Sequence, residues 1–143
     1  MKSIGWIIFF LLLASASMAL AERLSVSVSI ANIRSGPGEN YDILWSVEKY
    51  HPIDVFQKSG KWFHFRDFEK DEGWIHESLV SKIPSVITKK ENCNVRSGPG
   101  DHYPVSFTVE KGIPFKVLNR KKEWFHVQHA DGDSGWVHES LVW

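Results

Sequence analysis

Short stretches of alternating apolar and polar residues run along the chain, and the first clear one covers residues 24–33. Serines separate its apolar residues up to Ile30, and a two-residue period is typical of a half-buried strand. The glycines and prolines between such stretches favour turns, and no stretch has a helical period. The pattern therefore predicts a small all-β barrel, with further strands at 43–47, 52–56 and 61–66.

Turn-forming residues place the connections between these strands. Pro52 opens a strand, where its missing N–H group is tolerated. The Lys58-Ser59-Gly60 triplet predicts a tight hairpin before the Trp62 strand. Residues 77–79 are too few for an α-helix and fit a single 3₁₀ turn.

The whole pattern is written twice. Trp74 returns as Trp136 and Asn32 as Asn94, a shift of 62 residues in both cases, without insertion or deletion. Two copies of this length indicate tandem small domains, since solenoids repeat shorter units more often. We assign the copies to residues 22–83 and 84–143. The linker at Pro84 is short enough that the two domains should touch.

Residues 1–21 have the features of a secretory signal peptide. Lys2 is followed by an apolar run at 7–13, and Ala19-Leu20-Ala21 has the small-x-small form of a cleavage site. An uncleaved membrane anchor is the alternative, although the apolar run is short for a bilayer span. No cysteine comes directly after the apolar run, so a lipoprotein is not indicated. We expect an exported protein, periplasmic or extracellular within the cell envelope, with no membrane span after cleavage.

Charge and cysteine content narrow the function classes. Removing Lys2 from a chain with 17 basic and 17 acidic residues leaves a formal net charge of −1. That balance lacks the basic footprint of a nucleic-acid-binding protein. Cys93 is the single cysteine and takes the place of Ala31 in the first copy. We interpret it as a small buried residue, the alternative being a reactive or intermolecular thiol.

The sequence favours neither catalysis nor metal binding. It contains no Gly-x-Ser-x-Gly elbow and no His-Glu-x-x-His helix, and Glu77 and Glu139 are single carboxylates where a glycosidase needs a facing pair. His126 and His129 would point to opposite faces of a strand, and zinc needs three or four ligands. We expect no enzyme activity, no cofactor and no metal.

The two recurring motifs identify a family resemblance. Asn-x-Arg-Ser-Gly-Pro-Gly, a Trp-containing strand and Gly-Trp-x-His-x-Ser-Leu follow one another twice, and in this order they resemble the bacterial SH3-like (SH3b) domain over residues 26–83 and 86–143. The resemblance implies two tandem SH3-like β-barrels. It further implies a non-enzymatic exported module that binds cell-wall peptide (peptidoglycan) or another envelope component. The alternative is an envelope protein–protein interaction scaffold.

The eukaryotic relatives of this family bind proline-rich peptides on an aromatic groove. Their Gly-Tyr-Ile-Pro-Ser-Asn-Tyr-Val ending is similar to residues 73–80, but His76 and Leu79 stand where the groove has Pro and Tyr. Because polyproline recognition depends on that aromatic lining, no polyproline ligand is expected.

Strand alternation separates candidate binding residues from the core. Phe63 and Phe65 share one face, while Trp62 and His64 share the other, more polar face. An aromatic ring there suits recognition, although each Trp could instead cover the barrel or its neighbour. The ligand-binding groove candidates are Tyr41, Trp62, Trp74, His76, Tyr103, Trp124, Trp136 and His138.

Three further expectations concern charged and terminal residues. Arg34 and Arg96 point away from the core, either to pin the Gly-Pro-Gly loop by hydrogen bonds or to contact a peptide carboxylate. The basic hairpin at 120–122 suggests that the second copy prefers an anionic ligand. Trp143 should pack on its own barrel or on the first one, because burying an aromatic of this size is worth roughly 2–3 kcal/mol.

Overall fold

The computed structural model describes residues 3, 5, 7–9 and 18–143, and the first copy forms one antiparallel sheet. Its strands lie side by side in the order β3-β2-β6-β5-β4-β1-β7. A 3₁₀ turn at Glu77–Leu79 follows β6, as predicted. The strand bounds are β1 Met18–Val26, β2 Ile30–Arg34, β3 Ile43–Glu48, β4 Pro52–Ser59, β5 Trp62–Arg66, β6 Glu72–His76 and β7 Val80–Ser81.

The second copy repeats this arrangement in a separate sheet. Its strand order is β10-β9-β13-β12-β11-β8, and the 3₁₀ turn Glu139–Leu141 follows β13. The all-β class, with two tandem small β domains, is confirmed. The strand bounds are β8 Ser85–Ile87, β9 Cys93–Arg96, β10 Val105–Val109, β11 Pro114–Lys121, β12 Trp124–Gln128 and β13 Ser134–His138.

Each sheet encloses its own apolar core. Phe65 and Ile75 are fully buried in the first copy, as Val127 and Val137 are at the equivalent positions of the second. These residues come from the inward face of the predicted alternation, and each buried side chain of this size contributes roughly 1.5–3 kcal/mol. Gly73 belongs to this packing, because a Cβ there would lie 2.2 Å from Ile33 Cγ2. That close approach explains why Gly precedes Trp in the motif.

The prediction of one strand over residues 24–33 was wrong. The chain pairs as β1 up to Val26, turns, and resumes as β2 at Ile30. The Ser27 N–H donates to Leu79 O, and Lys49 N–H donates to Ser29 O, so partners distant in the sequence redirect the chain here. As a result Ile30, counted as an inward residue of the alternation, is 69% exposed.

Strand β1 begins inside the predicted signal peptide. Met18 and Ala19 pair with Lys58 and Gln57 of β4. Lys2 and residues 10–17 lie outside the described residues, and cleavage after Ala21 stays a prediction. Within the described part of the chain, no helix combines the length and the apolar character needed to span a membrane.

The two copies touch on either side of the short linker, as predicted. The Arg23 guanidinium lies 4.1 Å from the ring centroid of Trp143, and its Nη2 donates to Ser85 O at 3.2 Å. The hydroxyls of Ser25 and Ser85 bond to each other while both residues are buried. Trp143 therefore packs against the first copy, which confirms that expectation.

Candidate functional site

Each copy carries a groove between the loop after its Asn-x-Arg strand, the first residue of its Trp strand and its 3₁₀ turn. The groove volumes are about 370 Å³ in the first copy and about 280 Å³ in the second. We call them the Trp–His grooves. Their shared lining residues are Asn32, Arg34, Glu39, Trp62, His76, Ser78 and Leu79 in the first copy, and Asn94, Arg96, Asp101, Trp124, His138, Ser140 and Leu141 in the second.

The pairing of β5 with β6 brings Trp62 and His76 together. They are direct cross-strand partners, and their ring centroids lie 5.2 Å apart at an interplanar angle of 88°. Trp124 and His138 repeat the contact at 5.1 Å and 78°. Edge-to-face aromatic pairs of this kind contribute about 0.5–1.5 kcal/mol beyond the area they bury.

The His76 ring is held in one orientation by the 3₁₀ turn that follows it. Its Nδ1 accepts a hydrogen bond from Ser78 N–H at 3.2 Å and lies 2.7 Å from Ser78 Oγ. Because Nδ1 is an acceptor, the proton of the neutral ring is on Nε2. His138 and Ser140 repeat both distances. Each groove thus presents one imidazole N–H donor beside a Trp ring.

Arg34 and Arg96 hold the loop that forms the opposite wall. Arg34 Nη1 donates to the carbonyl oxygens of Glu39 and Tyr41, both at 3.0 Å. Arg96 makes the same pair of bonds, at 3.1 and 3.0 Å, to Asp101 and Tyr103. These bonds are the loop-pinning geometry that the sequence suggested, and both guanidinium groups also line the grooves.

Tyr41 and Tyr103, predicted as groove candidates, lie on the loop itself. A Cβ at Gly36 would be 2.3 Å from Tyr41 Cδ1, so only glycine lets the ring lie flat there. Gly98 has the same relationship to Tyr103, at 2.4 Å. The rings are 44% and 37% exposed but are not among the lining residues of either groove.

Trp74 and Trp136 form a second aromatic feature outside the grooves. Trp74 stacks on His64 with ring centroids 4.3 Å apart, and Trp136 stacks on His126 at 4.7 Å. Burial lowers the pKa of His64, with the nearby Glu72 carboxylate acting against that shift. The stack keeps both Trp rings on the outer face of the sheet, where the alternation placed them.

Several lining residues were not singled out from the sequence. Asn32, Glu39, Ser78 and their counterparts Asn94, Asp101 and Ser140 all recur at the shift of 62 residues. The acidic character of Glu39 is kept in Asp101 although the residue type changes. Recurrence of polar residues within the two motifs was therefore the signal that could have found them.

One charged position at the rim distinguishes the two grooves, whereas an ion pair beside it is shared. Lys58 Nζ lies 2.9 Å from Glu77 Oε2, which lowers the pKa of that carboxyl, and Arg120 pairs with Glu139 at the equivalent place. The second copy adds a contact of 3.6 Å between His138 Nε2 and Glu123. The first copy has Lys61 at that position, so the rim charge is reversed.

Cys93 lies apart from both grooves. It is fully buried, its thiol donates to Lys90 O at 3.0 Å, and burial raises its pKa. Its interpretation as a small buried residue is confirmed. Among the described residues, no group of three or more His, Cys, Asp or Glu side chains is arranged to hold a metal ion.

Comparison with known proteins finds related sequences. The family model described as bacterial SH3 domain matches residues 27–82 and 89–143. A Bacillus subtilis protein named as an N-acetylmuramoyl-L-alanine amidase, YrvJ, is 24% identical over 140 residues, covering 90% of this chain and 27% of that protein. A Staphylococcus epidermidis protein named as a cell wall amidase, LytH, is 48% identical over 61 residues, covering 42% and 21%.

A solved structure of an NlpC/P60 family protein from Bacillus cereus is also similar, at 12% identity and a TM-score of 0.39. It matches 85% of this chain and 56% of that one. The chain spans less than a third of the length of each of the two named amidases.

Proposed function

The chain belongs to the bacterial SH3 domain family, and from this premise we propose that it is a non-enzymatic module that binds cell-wall peptide (peptidoglycan) through its Trp–His grooves. The observation that carries the proposal is the repetition of one groove in both copies. Trp62 and His76 make the same contact as Trp124 and His138. The relatives named as cell wall amidases support the same setting.

The groove chemistry suits a short peptide with both apolar and polar groups. The Trp62 ring offers an amphipathic surface for an aliphatic side chain. The Nε2–H of His76 can donate to a peptide carbonyl, and the Glu39 carboxylate can accept from a peptide N–H or ammonium group. Arg34 can contact a peptide carboxylate without releasing the loop, because its guanidinium carries five donors.

Export belongs to the same proposal. Residues 1–21 have the sequence features of a signal peptide, and peptidoglycan lies outside the cytoplasmic membrane. The similarity to proteins named as cell wall amidases agrees with an envelope location. The proposed site of action is therefore the cell envelope, periplasmic or extracellular.

Retention on purified sacculi tests the proposal. The variants are Trp62→Ala, Trp124→Ala and the double substitution, each compared with the parent chain. Leu44→Ala is the matched control, because Leu44 is 50% exposed and lies outside both grooves. We expect the double variant to lose about tenfold or more of the parent's affinity, as a central aromatic anchor does at an interface. Each single variant should keep part of the retention.

Three outcomes would overturn separate parts of the proposal. Equal retention of the double variant and the parent chain would show that the grooves do not take part in binding. Retention of the parent no greater than that of an unrelated domain of similar charge would contradict wall binding. It would favour the function of an envelope protein–protein interaction scaffold. Release of soluble peptidoglycan fragments by the purified chain would contradict the non-enzymatic assignment.

A further inference from the structure

The outer edge of β11 is open over its second half. Strand β8 pairs only with residues 114–116, and the Val117 N–H then donates to Pro84 O at 2.9 Å. Beyond that point no strand of the described chain lies on this side of β11. Residues 118–121 are all exposed, and Leu118, an apolar residue, is 43% exposed. We call residues 118–121 the β11 edge.

The equivalent edge in the first copy carries an added strand. Met18 and Ala19 extend β1 along β4, opposite Lys58 and Gln57. By the shift of 62 residues, Gln57 and Lys58 correspond to Asn119 and Arg120. Residues 56–59 are only partly exposed, whereas residues 118–121 are all exposed. In the uncleaved chain, one copy therefore displays the edge with a strand in place, and the other displays it without one; removal of residues 1–21 would open the first edge as well.

A side chain occupies the hydrogen-bonding position that such a strand would take. The Arg120 N–H donates to Asn119 Oδ1 at 2.7 Å. Lys121 and Trp124 flank the two-residue turn, so Arg120 is one step further along the hairpin and its backbone groups point to the outer edge. The carbonyl of an added strand can replace the Asn119 amide oxygen by a rotation of that side chain.

A cavity adjoins the edge at Val117, beside the point where β8 begins at Ser85. Its volume is about 610 Å³, and its apolar walls include Pro84, Val117, Phe125 and Trp143. In an added strand every second side chain points to the same face. The inward side chains would thus meet this cavity, which is large enough for an aliphatic group.

We propose that the β11 edge binds an extended acidic peptide as an additional antiparallel strand, with an aliphatic side chain of the peptide in the cavity beside Trp143. The antiparallel direction follows from β1 on β4. The preference for acidic residues follows from Lys121 and Lys122, which are exposed together at the end of this edge, whereas Arg120 is already paired with Glu139. Strand addition of this kind takes its affinity from main-chain hydrogen bonds and its specificity from alternate side chains.

Binding of a fluorescein-labelled hexapeptide of alternating Glu and Val to the full chain tests the proposal. We expect saturable binding that weakens with salt, backbone amide NMR shifts at residues 118–121, and slower hydrogen exchange of the Arg120 amide. The same peptide with N-methyl groups on alternate residues should lose binding, because it cannot form the ladder. A Lys-Val hexapeptide should bind more weakly on charge grounds.

Two matched variants separate the backbone from the side chain. Arg120→Ala and Arg120→Pro both remove the ion pair with Glu139, but only the proline removes the outward N–H. The proline variant should bind the Glu-Val peptide about tenfold more weakly than the alanine variant, because it loses about one hydrogen bond to the peptide. Leu44→Ala should leave this binding unchanged, because Leu44 lies on β3 of the first copy, in the other sheet. If the proline variant does not fold, the N-methyl comparison decides alone.

Three results would overturn the proposal. Full affinity of the N-methylated peptide would show that charge, and not a hydrogen-bonded ladder, carries the interaction. The NMR shifts could fall on the Trp–His grooves rather than on the β11 edge. Protection of the Arg120 amide could also rise with protein concentration without peptide, which would make a second copy of the chain the occupant.

Discussion

Nδ1 of His76 accepts the backbone N–H of Ser78 at 3.2 Å and lies 2.7 Å from Ser78 Oγ, and these contacts join the His76 ring to the 3₁₀ turn that follows it. The imidazole therefore has two roles on its two nitrogens. Nδ1 caps the turn, whereas Nε2 takes no part in those contacts and belongs to a ring that contacts Trp62. Because the roles are on different atoms, a substitution can separate them.

His76→Asn should separate stability from binding. The Asn side-chain oxygen can take the place of Nδ1 as acceptor for Ser78 N–H, but the variant lacks the Nε2–H donor. We expect its melting temperature to stay near that of the parent, while sacculus retention falls. His76→Ala should lose both, since removal of a cap costs about 0.5–2 kcal/mol. Equal melting temperatures for the two variants would contradict the capping role.

Trp143→Ala, which keeps the two backbone hydrogen bonds between Trp143 and Ile87, should loosen the contact between the copies. Its ring is half-buried under the Arg23 guanidinium, a contact worth roughly 1–2 kcal/mol from area and cation–π attraction together. One kcal/mol shifts a domain of this size by about 4–8 °C. Scanning calorimetry should therefore show a melting temperature lower by several degrees. Leu44→Ala is the control, because Leu44 is exposed and distant from the linker residues.

His51 should make the first copy sensitive to mild acid. Its side chain is buried in the folded state, and burial lowers its pKa from 6.5 to about 4. The unfolded chain binds the proton first, so the contribution is complete above pH 6.5 and is lost as pH falls from there towards 4. The shift corresponds to about 3 kcal/mol of unfolding free energy.

The second copy supplies the matched control for that effect, since Ile113 stands where the first copy has His51. Denaturant unfolding of His51→Ile between pH 4 and 7 should show a much smaller acid loss than the parent. The neighbouring Asp67, whose pKa burial raises, contributes in the opposite direction and is present in both proteins. Parallel pH profiles for parent and variant would rule out His51 as the cause.

The sequence could predict the strands whose pairing is local, and it failed where distant partners decide. Phe65 and Trp62 separate correctly because alternation along one hairpin determines their faces. The break after Val26 depends on Leu79, whose carbonyl binds Ser27 from the far end of the copy. No local pattern carries that information, since the alternation of residues 24–30 continues through the turn unchanged.

The candidate site shows the same division between local and distant contacts. Trp62 and His76 recur in both motifs, which is why the sequence indicated them. The position of Tyr41 follows from a ring lying against Gly36, a contact that residue spacing alone does not specify. Trp74 likewise has its position set by stacking on His64, a cross-strand partner that only the register reveals.

Cys93 should resist thiol reagents while the chain is folded. Its side chain is fully buried, and burial raises its pKa, so both access and thiolate fraction are low. Labelling with an aromatic disulfide reagent at mild alkaline pH should be slow for native protein and fast after unfolding. Cys93→Ala should fold normally, because Ala31 fills the equivalent buried position. Rapid labelling of the native chain would revive the reactive-thiol alternative.

The reversed rim charge should give the two grooves different salt responses. From the sequence, the basic hairpin at 120–122 suggested an anionic ligand for the second copy. In the structure Arg120 is paired with Glu139 just as Lys58 is paired with Glu77, so this position does not distinguish the grooves. The charge that differs beside the imidazole is Glu123 in the second copy, where the first has Lys61.

We therefore expect the groove of the first copy to bind an anionic wall peptide with the steeper salt dependence. Exposed charges are screened within about 10 Å at 0.1 M salt, so affinity at two salt concentrations reports their contribution. The measurement uses the full chain with one groove removed at a time, by Trp62→Ala or Trp124→Ala. Adding Glu123→Lys to the chain that keeps the second groove should raise its salt slope to that of the first. Lys61→Glu should lower the slope of the first groove, and slopes insensitive to both substitutions would contradict the rim-charge argument.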